Sequence, residues 1–385
     1  MEEQLYERTL LFSYCKNSYL FYLKGAIMKL TINNITKPFL YYNDKIIFRK
    51  NNTFFEINRI DLIEFIIKEF EDNTIIEKLL LKKTIMVKFH ISNNECEDII
   101  NELMVAGIIT EYIDKDRYYT NTLFFSLFNN FNKKEYQQKL LDTEICVLGL
   151  GGSTLIIQQL AALGVKKIVG VDFDSLEPKN LNRQVIFKES NVGELKAEVL
   201  KKNLMEINSD ITYEFYNKKI TSKEDVDEII ASSDIVILAL DEPIIDSEIW
   251  VHQSCKSKNK ILISGGVWGD IVSYVWFDYR NPDTPCYECM TRQSISDNPI
   301  SLDYFKNIKG KCYPDFNTTI VFTASVLAGI CVSEIAKIVT NYATPIDSCE
   351  ILEVNTSTWE VNRTKFTKVE KCSLCNSLEF DIGRM

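Results

Sequence analysis

Ile145-Cys-Val-Leu-Gly-Leu-Gly-Gly-Ser-Thr154 sets the fold of this chain. Residues 146–148 are a short apolar run suited to a strand covered on both faces. Gly149, Gly151 and Gly152 then permit a tight turn and let an anion approach the backbone. Over residues 153–163 (STLIIQQLAAL) apolar side chains recur at helical spacing. The turn therefore opens a helix, whose first N–H groups and partial positive charge favour phosphate. Gly164 ends that helix, and residues 167–171 (KIVGV) form the next strand. Asp172 follows, about 20 residues after the last glycine, where a doubly wound sheet offers a carboxylate to ribose hydroxyls. The expected fold class is α/β, a Rossmann-like doubly wound sheet that holds a nucleotide.

What lies outward of this core separates a redox carrier from a nucleotide that is cleaved. Asp174, Asn180, Arg183, Gln184 and Lys196 crowd into one 25-residue stretch. Arg183 and Lys196 are cations suited to a triphosphate whose charge grows during phosphoryl or nucleotidyl transfer. Residues 234–240 (DIVILAL) read as a third apolar strand, ending in Asp241-Glu-Pro243. A carboxylate at such a strand end overlies the ligand crevice. Mg2+ held by Asp241 and by substrate phosphates would account for it. Singly, each charge reads as a solvated loop residue; together, in this order, they read as a site.

With those residues in place, the stretch 145–354 resembles the ThiF/MoeB-type, ubiquitin-activating-enzyme-like adenylating enzymes. The motifs are GLGG (149–152), DFD (172–174), NLNRQ (180–184), VGELK (192–196), LALDEP (238–243) and PCYEC (285–289). Within the family it is similar to the microcin C-type peptide nucleotidyltransferases. That likeness lies in ISGGVWGD (263–270), RYYTN (117–121), Cys372-Ser-Leu-Cys375 and the closing Arg384-Met385. The resemblance implies that Gly149, Gly151 and Gly152 face ATP and that Asp172 holds its ribose. Asn180, Arg183 and Lys196 would hold the phosphates, with Asp174 and Gln184 beside them, and Asp241 would hold Mg2+. Arg183, Lys196 and Asp241 are the expected catalytic residues. The implied reaction is attack of a carboxylate on the α-phosphate of ATP, giving an acyl-adenylate and pyrophosphate. The implied substrate is a ribosomally made precursor peptide, and the implied assembly a homodimer. Two departures stand out. Thr154 replaces the family's third glycine, and Thr120 stands where many members carry a second arginine that reaches the partner's phosphates, although Arg117 remains. Adenylation-driven cyclisation of a precursor peptide, activation of a sulfur-carrier protein, and a non-catalytic peptide-presenting partner are the alternatives.

Four of the 11 cysteines form two Cys-x-x-Cys pairs, Cys286/Cys289 and Cys372/Cys375. Two such pairs suit a structural, tetrahedral Zn2+. The 82 residues between them are long for a zinc ribbon, so the site would tie the C-terminal tail back onto the sheet domain. Unrelated pairs or disulfides are the other reading. The start, MEEQLYERTLL, is acidic and lacks the apolar segment of a signal peptide. With the odd cysteine count, this points to a reducing compartment, and a cytoplasmic location is expected. Cys312, in Lys309-Gly-Lys-Cys-Tyr-Pro-Asp315, lies where ubiquitin-type relatives sometimes place a thioester cysteine. No His or Asn partner can be assigned to it, and it is read as non-catalytic. His90 and His252 are the only histidines, and His252 is read as a packing or surface residue.

The chain has 385 residues, 46% of them apolar, enough for two or three domains with a substantial core. A net charge of -10 and a pI near 5.1 argue against a nucleic-acid surface. No apolar run is expected to approach the roughly 20 residues that span a bilayer, so no membrane partner is expected. Residues 1–27 do not pattern clearly. Residues 38–57 read as short strands with turns at Asn43-Asp44 and Asn51-Asn52. Residues 60–71, 73–82 and 93–106 read as helices, the last stopped by Gly107, with a strand over 108–113. This order resembles the winged-helix peptide clamp fused to enzymes that modify ribosomal peptides, which adds a peptide as a strand to a sheet edge. A winged helix that only packs or dimerises is the other possibility. The expected domains are 1–27, an unassigned extension; 28–116, the winged-helix-like α+β clamp; 117–140, a linker or dimer-contact helix; and 141–385, the adenylating domain with its zinc-binding tail.

Overall fold

The computed structural model describes residues 28–37, 39–43, 45–50, 53–57, 60–312, 317–370 and 372–376. The expectations for 1–27, Asp44, Asn51-Asn52 and Arg384-Met385 lie outside them. The chain divides into two compact units, residues 1–137 and 138–385.

The first unit runs β1 (Lys29–Ile32), β2 (Leu40–Tyr42), β3 (Lys45–Lys50), β4 (Thr53–Ile57), α1 (Ile60–Asp72), β5 (Ile76–Glu77), α2 (Lys78–Phe89), α3 (Asn93–Ala106), β6 (Ile109–Glu111) and α4 (Tyr119–Ser126). Helix α5 (Lys133–Leu141) follows and leads into the second unit. Two three-stranded sheets form, ordered β5-β1-β6 and β2-β3-β4. Leu30, Ile46, Phe48, Leu62, Ile66, Leu81, Ile85 and Ile100 fill a single core. Ser92 caps α3 through Glu95 N, and Gly107 ends it at φ 77°, as the sequence suggests. The helix expected over 73–82 differs. Ile76 pairs with Leu30 of β1 as a strand, and the helix starts only at Lys78. Thr74 is tied to the same strand, its carbonyl accepting from Thr31 Oγ1 at 2.8 Å. Cross-strand pairing here overrides local helical periodicity.

The second unit runs β7 (Glu144–Leu148), α6 (Thr154–Leu163), β8 (Lys167–Val171), α7 (Lys196–Ile207), β9 (Thr212–Tyr216), α8 (Lys223–Ile229), β10 (Ile235–Leu238), α9 (Asp246–Ser257), β11 (Ile261–Trp268), β12 (Ile271–Asp278), α10 (Tyr287–Asp297), α11 (Ile300–Ile308), α12 (Val321–Thr340), β13 (Glu350–Asn355) and β14 (Val361–Lys365). Its eight-stranded sheet is ordered β14-β13-β12-β11-β10-β7-β8-β9. Strands β11, β10, β7, β8 and β9 are parallel, and β12 to β14 extend the sheet antiparallel. Strand β7 explains the doubly wound form. Ile145 and Val147 enter one core with residues of α6, α7 and α12, while Cys146 and Leu148 enter another with residues of α8 and α9. Both faces are apolar because helices cover both. The chain order reverses between β7 and β10, so the crevice lies beyond their carboxyl ends.

Helix α12 corrects the expectation about apolar runs. It is 20 residues long with a mean hydropathy of 1.7, the length and composition of a bilayer span. Its Ala328, Cys331, Val332 and Ile335 join the sheet core, and its buried Glu334 accepts from Lys337 and from Ile346 N at 2.8 Å. Packing against β11, β12 and α6 accounts for its apolar character.

Candidate functional site

The crevice is built by the turn after β7. Gly149 takes φ +92°, a conformation that favours glycine, and its N–H donates to Val171 O at 3.0 Å. A Cβ there would stand 2.3 Å from Ala239 O, where β10 leaves the sheet. Gly149 is thus needed for close crossing of two chain segments. Gly151 and Gly152 differ. A Cβ on Gly151 would meet Gln184 Nε2 at 3.2 Å and Lys196 Nζ at 3.6 Å, and one on Gly152 would meet nothing within 4 Å. Ser153 donates its hydroxyl to Gly149 O at 2.6 Å and leaves the α6 N-terminus without a side-chain cap. Those N–H groups remain suited to an anion.

These differences predict a contrast. Gly149→Ala should destabilise the second unit by roughly 2–4 kcal/mol, from left-handed strain and a backbone clash. Gly152→Ala should unfold at the wild-type urea midpoint yet bind nucleotide more weakly by calorimetry. Equal stability loss in both, with nucleotide affinity intact in Gly152→Ala, would remove the cradle.

Carboxylates and cations line the turn. Asp172 accepts from Leu150 N and Asp174 N, both at 2.9 Å, so it is locked to the glycine turn. Burial raises its pKa; Lys196 and those two N–H groups oppose the rise. Lys196 is 5% exposed and donates to Asp174 Oδ2 at 2.7 Å. Its helix begins there because the 172–176 loop pairs with the residues before it, Leu176 N donating to Glu194 O and Gly193 N to Leu176 O, each at 2.8 Å. Arg183 donates through Nη1 to Lys179 O at 3.1 Å and Asn182 Oδ1 at 2.9 Å, while its buried Nε has no partner among the described residues. Burial lowers its pKa, and Asp241 opposes that. Gln184 is 2% exposed and its Oε1 likewise lacks a partner among the described residues. Asn180 Oδ1 accepts from Glu177 N at 3.0 Å, a local capping contact.

Asp241 keeps solvent access just beyond β10. Loss of hydration raises its pKa, and repulsion from Glu242 and Asp174 adds to that. The crevice therefore brings together the glycine turn, Asp172, Asp174, Lys196, Gln184, Arg183 and Asp241. The buried, unpartnered Arg183 Nε is a donor suited to a phosphate oxygen, and the crowded carboxylates suit a divalent cation such as Mg2+. Sequence reasoning missed the strap beside Asp241. Ile244 N donates to Lys311 O at 3.1 Å and Gly310 N to Ile244 O at 3.0 Å. Next on the strap is the exposed Cys312, whose pKa is raised by a hydrogen bond with Glu242. A thiolate is disfavoured there. His252 is buried, with Nδ1 at 2.6 Å from Tyr279 Oη, and burial pushes its pKa down to about 3, as suits a neutral packing residue.

The cysteine pairs meet. The sulfurs of Cys286, Cys289, Cys372 and Cys375 lie within 4.8 Å of one another. Cys286 is 3.3 Å from Cys372, 3.4 Å from Cys375 and 3.8 Å from Cys289, and Cys289 is 3.6 Å from Cys375. Tetrahedral Zn–S bonds of about 2.3 Å place sulfurs about 3.8 Å apart, so the four thiols fit zinc. Glu288, absent from the sequence reading, sits fully buried between the first two.

Residues 124–376 match the ThiF family. The chain belongs to the ThiF family. Among its relatives is the "SAMP-activating enzyme E1" of Haloferax volcanii, 33% identical over 160 residues, covering 40% of this chain and 56% of that one. The "Sulfur carrier protein adenylyltransferase" of Thermus thermophilus is 31% identical over 160 residues, covering 40% and 58%. The chain thus spans just over half the length of these relatives. In fold it is similar to E. coli MccB, with a TM-score of 0.68 and 22% identity, covering 92% of this chain and 99% of that one. MccB with AMPCPP and MccA gives a TM-score of 0.67 at 24% identity, covering 90% and 100%. Of the two departures from the family pattern, Thr154 is buried and opens α6 without disturbing it. Arg117 and Thr120 are both exposed around the start of α4 in the first unit.

Proposed function

We propose that this ThiF-family chain is an ATP-dependent adenylyltransferase acting on a carboxylate of a ribosomally made precursor peptide, in biosynthesis of a modified, antibiotic-type peptide. The observation that carries this is the pairing of a nucleotide crevice with a likeness to MccB over 90% of the chain, well beyond the part shared with the sulfur-carrier enzymes. In this reading ATP lies along the glycine turn with its ribose on Asp172. Lys196 and Arg183 face the phosphates, and Asp241 orients Mg2+. A carboxylate oxygen of the peptide bonds to the α-phosphorus, the bond to the bridging oxygen breaks, and pyrophosphate leaves. Charge growing on the phosphates meets fixed cations, the usual source of stabilisation in such a transfer. Zinc on four cysteines suits the reducing cytoplasm.

The first unit is the proposed peptide clamp. Strand β2 is an edge with Leu40, Tyr41 and Tyr42 exposed. Beside it a groove of about 330 Å3 is lined by Ile32, Phe39, Ile67 and Phe70, with Lys37 and Glu71 at hand. A strand added there gains main-chain hydrogen bonds worth about 0.5–1.5 kcal/mol each. Deleting residues 28–113 should therefore weaken peptide binding roughly a hundredfold and leave nucleotide affinity near wild type, measured by separate calorimetry. Equal loss for both ligands would reduce the unit to a structural support. The adenylation itself is tested by pyrophosphate release. Release stimulated by a candidate peptide supports the reading, and release stimulated only by a sulfur-carrier protein supports the second one, which the 31% identical sulfur carrier protein adenylyltransferase favours. No release with either would support a non-catalytic, peptide-presenting role.

The reading also includes a homodimer, supported by exposed Phe124, Phe128 and Phe131 in and after α4. Light scattering at micromolar concentration should give about twice the 44.6 kDa chain mass. A monomer would remove this part of the proposal.

A further inference from the structure

We propose that Glu288 is the positioning residue of the cysteine cluster. It holds the Ser373-Leu374 turn so that Cys372 and Cys375 face Cys286 and Cys289 before any metal arrives. The carboxylate is fully buried, and the residues that satisfy it come from its own helix and from the tail. Oε1 accepts from Arg292 Nε at 2.8 Å and from Ser373 N at 3.1 Å. Oε2 accepts from Ser373 Oγ at 2.6 Å and from Leu374 N at 2.8 Å.

The sequence arrangement makes this a hub. Glu288 stands between one pair of cysteines, and the two residues it grips stand between the other pair, 85 and 86 positions later. It acts as a capping residue for the short 3-10 turn Leu374–Asn376, taking N–H groups that the turn cannot satisfy internally. A buried carboxylate is tolerated only when paired and hydrogen-bonded, so the turn has one favoured docking position. Arg292 supplies the charge partner, with Nη2 at 2.7 Å from Oε1. Every partner of the carboxylate is thus a protein group. A turn held in this way presents its two sulfurs to the other pair, and outer-shell contacts of this kind tune metal affinity.

The affinity arm of the test rests on the zinc reading of the cluster; the exchange arm does not. In metal-free protein, hydrogen exchange should speed up at least tenfold at one or both of the Ser373 and Leu374 amides in Glu288→Gln, because the two N–H groups use different carboxylate oxygens and the amide keeps only one acceptor. In zinc-loaded protein, competition with a chromophoric chelator should show a 10–100-fold loss of zinc affinity in the same variant. Ser373→Ala removes one contact and should give a smaller loss. If Glu288→Gln does not fold, Glu288→Asp, shorter by one methylene but still charged, is judged by the same criteria. Unchanged exchange at both amides, or zinc affinity within twofold of wild type, overturns the proposal. A wild-type protein that takes up no zinc defeats the zinc reading, and exchange alone then decides on Glu288.

Discussion

Asp241→Asn should lose nucleotide turnover by roughly a thousandfold while the protein folds as before. The carboxylate stands beyond the end of β10, at the point where the parallel sheet reverses its chain order. Glu242 and Asp174 repel it, and lost hydration adds to a raised pKa. A divalent cation would relieve all three costs, and an amide offers it no charge. Losing metal-assisted stabilisation costs about 4 kcal/mol of barrier, and each 1.36 kcal/mol is tenfold in rate. The stability sign runs the other way. A carboxylate whose pKa is raised in the folded state favours folding at low pH and opposes it once pH exceeds the folded value. Removing that charge should leave the melting temperature of the metal-free protein unchanged or slightly higher at neutral pH. Loss of pyrophosphate release with an intact or raised melting temperature is the expected pair of results. Normal turnover would sink the role of Asp241, and a large fall in melting temperature would make it structural.

The legible part of this protein is local. The β7–turn–α6–β8 segment was readable because a buried strand, a glycine turn and a 3.6-residue period each leave a mark within twenty residues. What stayed hidden depends on distant partners. Gly149 reads as a ligand contact, and its second task, leaving room where a Cβ would strike Ala239 O at another strand's exit, has no local mark. Ile76 looks helical until Leu30 is there to pair with it. Lys196 reads as a phosphate ligand, and in the folded chain Asp174 holds it in place. Glu288 is invisible as anything but a charged helix residue, since its partners Ser373 and Leu374 come from the tail. The length of α12 is masked in the sequence because Glu334 and Lys337 interrupt the apolar run, yet the buried Glu334 pairs with the half-buried Lys337 on the same helix. The cysteine pairs are the exception among distant contacts: repeated Cys-x-x-Cys spacing is a signal strong enough to survive 82 intervening residues.

Purified protein should carry one zinc per chain, and either Cys286→Ser or Cys372→Ser should lose it. Both sulfurs are fully buried, and they stand 3.3 Å apart on segments that meet only in the folded chain. A serine hydroxyl keeps the volume but is a far poorer ligand than thiolate for a borderline-soft cation. The consequence reaches past the metal. Phe366, Cys372 and Leu374 of the tail share a core with Val275, Phe277 and Tyr287 of the sheet and α10. Metal binding to a site assembled by folding is itself folding free energy, so chelation should lower the melting temperature of wild type and leave the two variants unmoved. A single variant that keeps its zinc would show that three thiols and water suffice. Metal content near zero in wild type, or unchanged in both variants, would rule out the tetrathiolate. If the metal is lost and the melting temperature does not move, the tail is held by its apolar contacts and the Glu288 clasp, and zinc only occupies a site already built.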